Sequence, residues 1–479
     1  MCIKSIAIVG GGPCGAAAAK AFLAERCFNK IKVFEKRSQF GGLWNYASET
    51  ETFPVPNEAP YKIRPIIKDN KVVWPSAAYD LLDTNVPTDL MTYASSPFPD
   101  TLPLFPHRSD VLKYLQKYAQ DVAPITQFDT EVVSVEREND QWKVLTRPVN
   151  LDTAGGEKSG QDTVEYFDAV VAAVGNYDVP FIPHRNGIEQ WSQKYPGTIS
   201  HVKAFKSPKQ FEGVKGDILV VGNSASAGDI CYQLAEGLGR TVYKSRRSEN
   251  LQPASPSNKI VEKPDIDRFD AAQKRVYFID KSYMDNVEKV IFATGYLKSY
   301  PFFETLNKSN TPILTDGHKV HGTYQHILLY NFPNLAVVGL PKFVLPTRVS
   351  ESQACWLAKV WSGKVPLPSF EAMKQWEDDR IKVKGNGKNF HDMNFPADVE
   401  YCNYLNDVVL SDKSNDGLKP LVWDERQVRI RASVKGIKEA YVLYRDKTGK
   451  LASTYSELQQ VVPGVLVDNS VLAEKGFRY

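Results

Sequence analysis

The hydrophobic pattern of the chain is a series of short apolar runs, each ending in glycine or polar turn residues. Ile6, Ala7, Ile8 and Val9 form the first run, the composition of a strand buried on both faces. An alanine-rich helical stretch follows over 16–24, then a second strand over 31–34. The arrangement returns at 218–221, with a helix over about 227–237 and a strand at 241–243. Further buried-type strands are expected at 167–174, 287–292 and 335–340, and two more around 131–137 and 142–146. A polar, glycine-containing hairpin is expected over roughly 150–162, and an extended surface excursion over 52–75. Ser109-Asp110 reads as the start of an amphipathic helix over 111–118, and 350–361 as another helix. Beyond about 365 the pattern is helical and irregular, without a chemical motif. Strands alternating with helices predict an α/β fold with parallel sheets.

The turns carry the chemistry. Gly10, Gly12 and Gly15 stand at G-x-G-x-x-G spacing between a strand and a helix, within Gly10, Gly11, Gly12, Pro13, Cys14 and Gly15. Gly10 permits the tight turn, Gly12 lets backbone approach a pyrophosphate, and Gly15 lets helix and strand pack closely. Glu35 closes the second strand about 20 residues past Gly15, where a carboxylate accepts hydrogen bonds from ribose hydroxyls. The second module reads Gly222, Asn223, Ser224, Ala225, Ser226, Ala227, with Ser and Ala in the later glycine positions. It carries Lys244, Arg246 and Arg247 where the first carries Glu35, a choice that suits a ribose 2′-phosphate and so NADPH over NADH. Gly41, Gly42, Leu43 and Trp44 form either a loop against a flat ligand or an ordinary turn with a core Trp.

Composition narrows the classes. The 479 residues suffice for two or three domains, and 59 basic against 56 acidic residues leave a formal charge of +3. That balance argues against nucleic acid or an anionic membrane as the main partner. No apolar run reaches the length of a membrane span, and the first strand begins too early for a signal peptide. Six scattered cysteines without C-x-x-C read as reduced thiols in a cytoplasmic setting, and Cys14 as a small residue tolerated beside a cofactor. Seven histidines form no metal set, and no nucleophile elbow is present. The chemistry is therefore expected to belong to bound cofactors.

Residues 195–206, from Tyr195-Pro196-Gly197 through His201 to Phe205-Lys206, resemble the fingerprint of flavin-containing monooxygenases, F-x-G-x-x-x-H-x-x-x-[FY]-[KR], with Tyr195 in place of Phe. Gly42-Leu43-Trp44, Thr84-Asn85, Pro97-Phe98-Pro99, Gly175-Asn176-Tyr177 and Ala293-Thr294-Gly295-Tyr296 agree in order. The resemblance covers roughly residues 3–365 and is nearest to the soluble fungal members. It implies two Rossmann-like dinucleotide-binding domains, an NADPH domain inserted into a discontinuous FAD domain. The boundaries expected are 1–177 for the first part of the FAD domain, 178–296 for the NADPH domain, and 297–479 for the second part with a C-terminal extension. By the same resemblance Gly10 to Gly15, Glu35, Gly42, Leu43, Trp44 and Gln353 contact FAD, and Gly222, Ser224, Ala225, Ser226, Ala227, Asp229 and Arg246 hold NADPH. Thr84 and Asn85 lie where the cofactors meet, with Asn85 the catalytic candidate; His201 is not expected to act as an acid or base.

The reaction implied is NADPH- and O2-dependent oxygenation of a nucleophilic nitrogen or sulfur in a small molecule, through a C4a-hydroperoxyflavin. The alternatives are a Baeyer–Villiger monooxygenase, an amino-acid N-hydroxylase or, in a different class, a non-catalytic nucleotide-binding regulator. Oligomeric state stays open, a homodimer included, as does peripheral attachment to the endoplasmic reticulum.

Overall fold

The computed structural model describes residues 2–94, 96–150, 161–249, 255–414 and 416–466. Strand β1 (Ser5–Val9) feeds helix α1 (Pro13–Glu25), and β2 (Lys30–Phe34) and β3 (Ala169–Ala172) flank β1 in parallel register. The chain then builds a second sheet from β4 (Asp217–Val221), α2 (Ala225–Leu238), β5 (Val242–Ser245) and β6 (Val287–Phe292). It returns as β7 (Phe332–Val337), which joins the far side of β3, and continues into α3 (Pro346–Trp361), α4 (Ala397–Leu410) and α5 (Glu425–Thr448). The second sheet is thus inserted into the first.

Thr126–Gln127 extends the first sheet beyond β2, and Thr323–Tyr324 with Leu328–Leu329 extends it beyond β7 to seven strands. The second sheet has five parallel strands, ordered Ile199–His201, β6, β4, β5 and Ile260–Lys263. Because side chains alternate along a strand, both first strands supply two cores. Ile6 and Ile8 pack with α1 and α3, whereas Ala7 and Val9 pack with Trp142, Phe302 and Phe303 on the other face. Ile218 and Val220 pack against α2, while Leu219 and Val221 meet Trp191 and Phe269. Ala16–Ala19 and Ala21 are buried on α1, whose small side chains let α3 lie close.

Several elements differ from expectation for local reasons. The run at 167–174 is two strands: Thr163–Phe167 pairs with Gln141–Pro148, and β3 belongs to the parallel sheet. The break is Asp168, whose carboxylate accepts the Lys4 and Ser5 N–H groups, each at 2.8 Å. The helix expected from Ser109 is capped two residues earlier by His107, whose side chain accepts the Ser109 N–H, and runs Arg108–Tyr118. α3 begins at Pro346, before the expected 350, because proline suits a first turn that needs no N–H. The excursion at 52–75 holds a small hairpin of Ile66–Lys68 and Lys71–Val73. The hairpin at 150–162 lies mostly outside the described residues. No helix among the described residues is long and apolar enough to cross a membrane.

The two chain crossings between the sheets lie side by side, Val179–Pro180 pairing antiparallel with Tyr296–Leu297. The fingerprint segment clamps them. Lys203 is buried and its ammonium binds both Glu51 and the Asp178 carbonyl. Lys206, also buried, donates to the Ser76 carbonyl at 2.6 Å and the Ala78 carbonyl at 3.0 Å. Burial pushes the Lys203 ammonium down and the Glu51 carboxyl up, and each offsets the other's desolvation. Lys203→Met leaves Glu51 without its cation and is expected to destabilise the protein by about 3 kcal/mol in urea titration. Lys209→Met, at an exposed position, is expected to cost under about 0.5 kcal/mol.

Candidate functional site

The site forms where both sheets end their strands and turn into helices. Gly10 ends β1 with φ +106°, a conformation open to glycine, and a Cβ there would stand 2.6 Å from the Ala173 carbonyl oxygen. A Cβ on Gly15 would collide with the Gly10 carbonyl. Gly12, the N-cap of α1, is placed differently: its Cβ would make ordinary contact with Gly42, the Cα at 3.5 Å and the N at 3.9 Å. Gly12 and Gly42 therefore pack main chain on main chain at the start of α1, with no side chain on either to cover a helix N-terminus that suits a pyrophosphate. Glu35 is buried at the end of β2, where its carboxylate accepts the Gly11 N–H at 2.6 Å and the Arg37 N–H at 2.8 Å. Acceptor capacity remains on both oxygens for ribose hydroxyls. Leu43 and Trp44 are half-buried in the single turn Gly42–Trp44. Pro13 starts α1, and burial pushes the Cys14 thiol up to about 11, so it is neutral and unreactive.

Gln353 sits behind the first cradle, on α3. It is fully buried, accepts the Gly339 N–H at 2.8 Å and donates to the Tyr401 hydroxyl at 2.9 Å. Asn176 holds the Gly339 carbonyl at 2.7 Å, and a Cβ on Gly339 would stand 2.6 Å from the Cys14 sulfur. Gln353 and Asn176 thus fix the Gly339 turn against the cradle.

The second cradle repeats the first. Gly222 has φ +139°, and a Cβ there would stand 2.5 Å from the Ala293 carbonyl. Ser224, in the second glycine position, is the N-cap of α2, its hydroxyl accepting the Ala227 N–H at 3.4 Å. The serine thus supports the helix end. Ala225 and Ser226 form the half-buried first turn. Arg246 stands at the end of β5, paired with Glu262 at 2.6 Å, and Arg247 is exposed beside it. Lys244 is buried within β5 and its charge acts on the Cys231 thiol of α2, so only two of the three cations face the strand end. Both cradles fit the dinucleotides their sequences imply.

Between the cradles runs the loop 79–85. Thr84 is buried; its N–H donates to the Pro106 carbonyl at 3.1 Å and its hydroxyl to the Val86 carbonyl at 2.9 Å. The Asn85 side chain is half-buried and makes no hydrogen bond among the described residues, leaving a neutral donor and acceptor free. Asp229 of α2 is committed elsewhere, accepting the Tyr79 hydroxyl and, at 3.0 Å, the Gln233 amide. That amide also donates to the Leu81 carbonyl at 3.1 Å, tying the loop to α2. His201 uses both ring nitrogens, Nε2–H donating to the Gly295 carbonyl at 3.0 Å and Nδ1 accepting the Lys203 N–H at 3.2 Å. Burial lowers it to about 3, so it is neutral and has no proton to exchange.

Sequence reasoning missed α5. Lys438 on this helix donates to the Thr84 carbonyl at 2.7 Å. The signal was present: Ile430, Val434, Ile437, Tyr441 and Tyr444 recur at helical spacing as an apolar stripe, with Lys438 set within it. Among the described residues no group of three His, Cys, Asp or Glu side chains could hold a metal.

The family described as flavin-binding monooxygenase-like matches residues 68–252 and 253–448, and the NAD(P)-binding Rossmann-like domain matches residues 8–68. The chain is 30% identical over 454 residues to a thiol-specific monooxygenase of Saccharomyces cerevisiae, spanning 91% of this chain and 92% of that one. It is 28% identical over 388 residues to flavin-containing monooxygenase FMO GS-OX1 of Arabidopsis thaliana, spanning 78% and 77%. Among solved structures, S-allyl-L-cysteine S-oxygenase of Allium sativum shares the fold with a TM-score of 0.72 at 24% identity, over 98% of this chain and 97% of that one.

The glycines separate fold from binding. Gly15→Ala is expected to abolish soluble, folded protein or lower its melting temperature by roughly 10 °C or more. Gly12→Ala is expected to keep the melting temperature of the apoprotein within about 2 °C and weaken FAD binding by roughly tenfold or more in a titration followed by flavin fluorescence.

Proposed function

The chain belongs to the flavin-binding monooxygenase-like family, and from that premise we propose that it oxygenates the sulfur of small thiols and sulfides. It is a flavoprotein monooxygenase with FAD and NADPH as cofactors and a small-molecule nucleophile and O2 as substrates. The observation that carries the sulfur reading is the likeness to the yeast thiol-specific enzyme over nine-tenths of both chains. When bound, FAD supplies two-electron chemistry with dioxygen and NADPH supplies the hydride. One oxygen atom goes to sulfur, the other leaves as water, and NADPH provides the two electrons.

In this reading each residue acts through what it holds. Gly10, Gly11, Gly12, Pro13, Cys14 and Gly15 present backbone to the FAD pyrophosphate, with Gly42 opposite. Glu35 takes the ribose hydroxyls, and Leu43 and Trp44 cover the cofactor. Gly222, Ser224, Ala225, Ser226 and Ala227 bind the NADPH pyrophosphate at the start of α2, and Arg246 its 2′-phosphate after exchanging Glu262 for it. Gln353 and Asp229 contribute from one layer behind, through Gly339 and Tyr79. Thr84 fixes the loop, and Asn85 offers an amide to the reacting centre. A neutral amide donates a hydrogen bond there without placing a charge in a site that excludes water. The domain boundaries at 177/178 and 296/297 belong to the same reading; the first falls just before Val179–Pro180 and the second within its partner Tyr296–Leu297.

The test uses the purified holoenzyme with cysteamine and trimethylamine as competing substrates. The expected result is a kcat/KM for cysteamine roughly tenfold or more above that for the amine. Asn85→Ser is expected to reduce product formation about a hundredfold while NADPH still reduces the flavin. Preference for the amine would overturn the sulfur reading, and an unchanged Asn85→Ser enzyme would overturn the residue's role.

A further inference from the structure

Helix α5 ends a part of the chain that carries no motif, yet it reaches the centre of the site. It opens with a capping box on Asp424 and Gln427, and its apolar face packs Ile430, Val434, Ile437 and Tyr441 against Leu90, Leu104 and Phe105. Within that face stands Lys438, which is buried. Its ammonium donates to the carbonyl of Thr84, the oxygen of the peptide unit whose N–H belongs to Asn85. The same ammonium lies 4.7 Å from the Phe105 ring centre and 5.4 Å from that of Tyr441. Those contacts stabilise a cation held away from water.

α5 also meets the NADPH domain. Tyr232 of α2 donates its hydroxyl to Asp446 at 2.7 Å and accepts from Arg445 at 3.1 Å. Arg445 lies 4.0 Å from Asp83, one residue before Thr84. Asp229 of α2 and Asp83 of the loop both favour the charged form of Lys438, while Arg445 opposes it. Burial outweighs them and lowers the ammonium to about 8, so it is mostly charged at neutral pH. A lysine in an apolar stripe is costly unless paired. Here its direct hydrogen-bond partner is a backbone carbonyl of the reacting loop.

We propose that Lys438 is a positioning residue for oxygenation: it fixes the Thr84–Asn85 peptide plane, and the Tyr232–Arg445–Asp446 contacts tie its helix to α2 of the NADPH domain. The proposal rests on the role given above to Asn85. The cation sets where the Asn85 amide stands, and the Tyr232 contacts of α2 hold the end of the helix that carries the cation. Oxygenation then proceeds with the loop held, and NADPH electrons are kept from leaking to hydrogen peroxide.

The test compares wild type with Lys438→Met and Lys438→Arg as flavin-loaded proteins. Two quantities are read: the fraction of NADPH electrons recovered as hydrogen peroxide, and backbone amide exchange over residues 82–88 by mass spectrometry. Lys438→Met is expected to raise the peroxide fraction about tenfold, the scale of losing a charged hydrogen bond, and to speed exchange in the loop. Lys438→Arg, which keeps charge and donors, is expected to hold both within about twofold. If Lys438→Met does not accumulate, Lys438→Gln is measured in its place, with the same effects expected. An unchanged peroxide fraction per bound flavin, or unchanged exchange, would mean that Lys438 only packs the helix and would overturn the proposal. The exchange measurement does not depend on the substrate. Should wild type fail to oxygenate sulfur while loop exchange still responds, the sulfur reading fails and the positioning role stands.

Discussion

A backbone-on-backbone contact, made twice, governs the architecture. In each sheet the glycine that ends the first strand packs on the carbonyl of the alanine just past a neighbouring strand, Gly10 on Ala173 and Gly222 on Ala293. A side chain would hold them apart, since its Cβ would stand 2.6 Å and 2.5 Å from those oxygens. The close approach turns each chain abruptly into a helix whose N-terminal amides face the crevice at the strand ends. That placement sets the main-chain contact of Gly12 with Gly42, the carboxylate of Glu35, and the capped start of α2 at Ser224.

The two sheets are joined through the paired crossings. Val179–Pro180 and Tyr296–Leu297 pair, and His201 and Lys203 bind the Gly295 and Asp178 carbonyls beside them, while Lys206 binds those of Ser76 and Ala78. The fingerprint residues are therefore mechanical. His201, neutral and doubly bonded, holds a linker and exchanges no proton. In the proposed function the reacting groups belong to the cofactors and to the loop 79–85, where the Asn85 amide makes no hydrogen bond among the described residues.

The two nucleotide modules were legible in the sequence because their constraints are local: glycines within a turn, an acid or cations at the next strand end. The inserted order was legible for the same reason, since it is an order of motifs. Other features were decided by contacts distant in sequence. Asp168 splits an apolar run because it caps the N–H groups of Lys4 and Ser5, a contact across 160 residues that no window displays. Lys244 reads as a phosphate ligand in sequence and is buried because its strand position turns it toward α2. Lys438 is the clearest case, for its partner Thr84 lies 354 residues away. The stripe it shares with Val434 and Tyr441 was visible, but what that stripe covers was not.

The central claim is that this cleft transfers one oxygen atom from O2 to sulfur at the expense of NADPH. The most direct measurement supplies 18O2 to the purified holoenzyme with NADPH and a small thioether, and weighs the product against NADPH consumed. The account predicts one labelled oxygen in the sulfoxide for each NADPH oxidised, with little hydrogen peroxide. Unlabelled sulfoxide, or NADPH consumption matched entirely by peroxide, would contradict it.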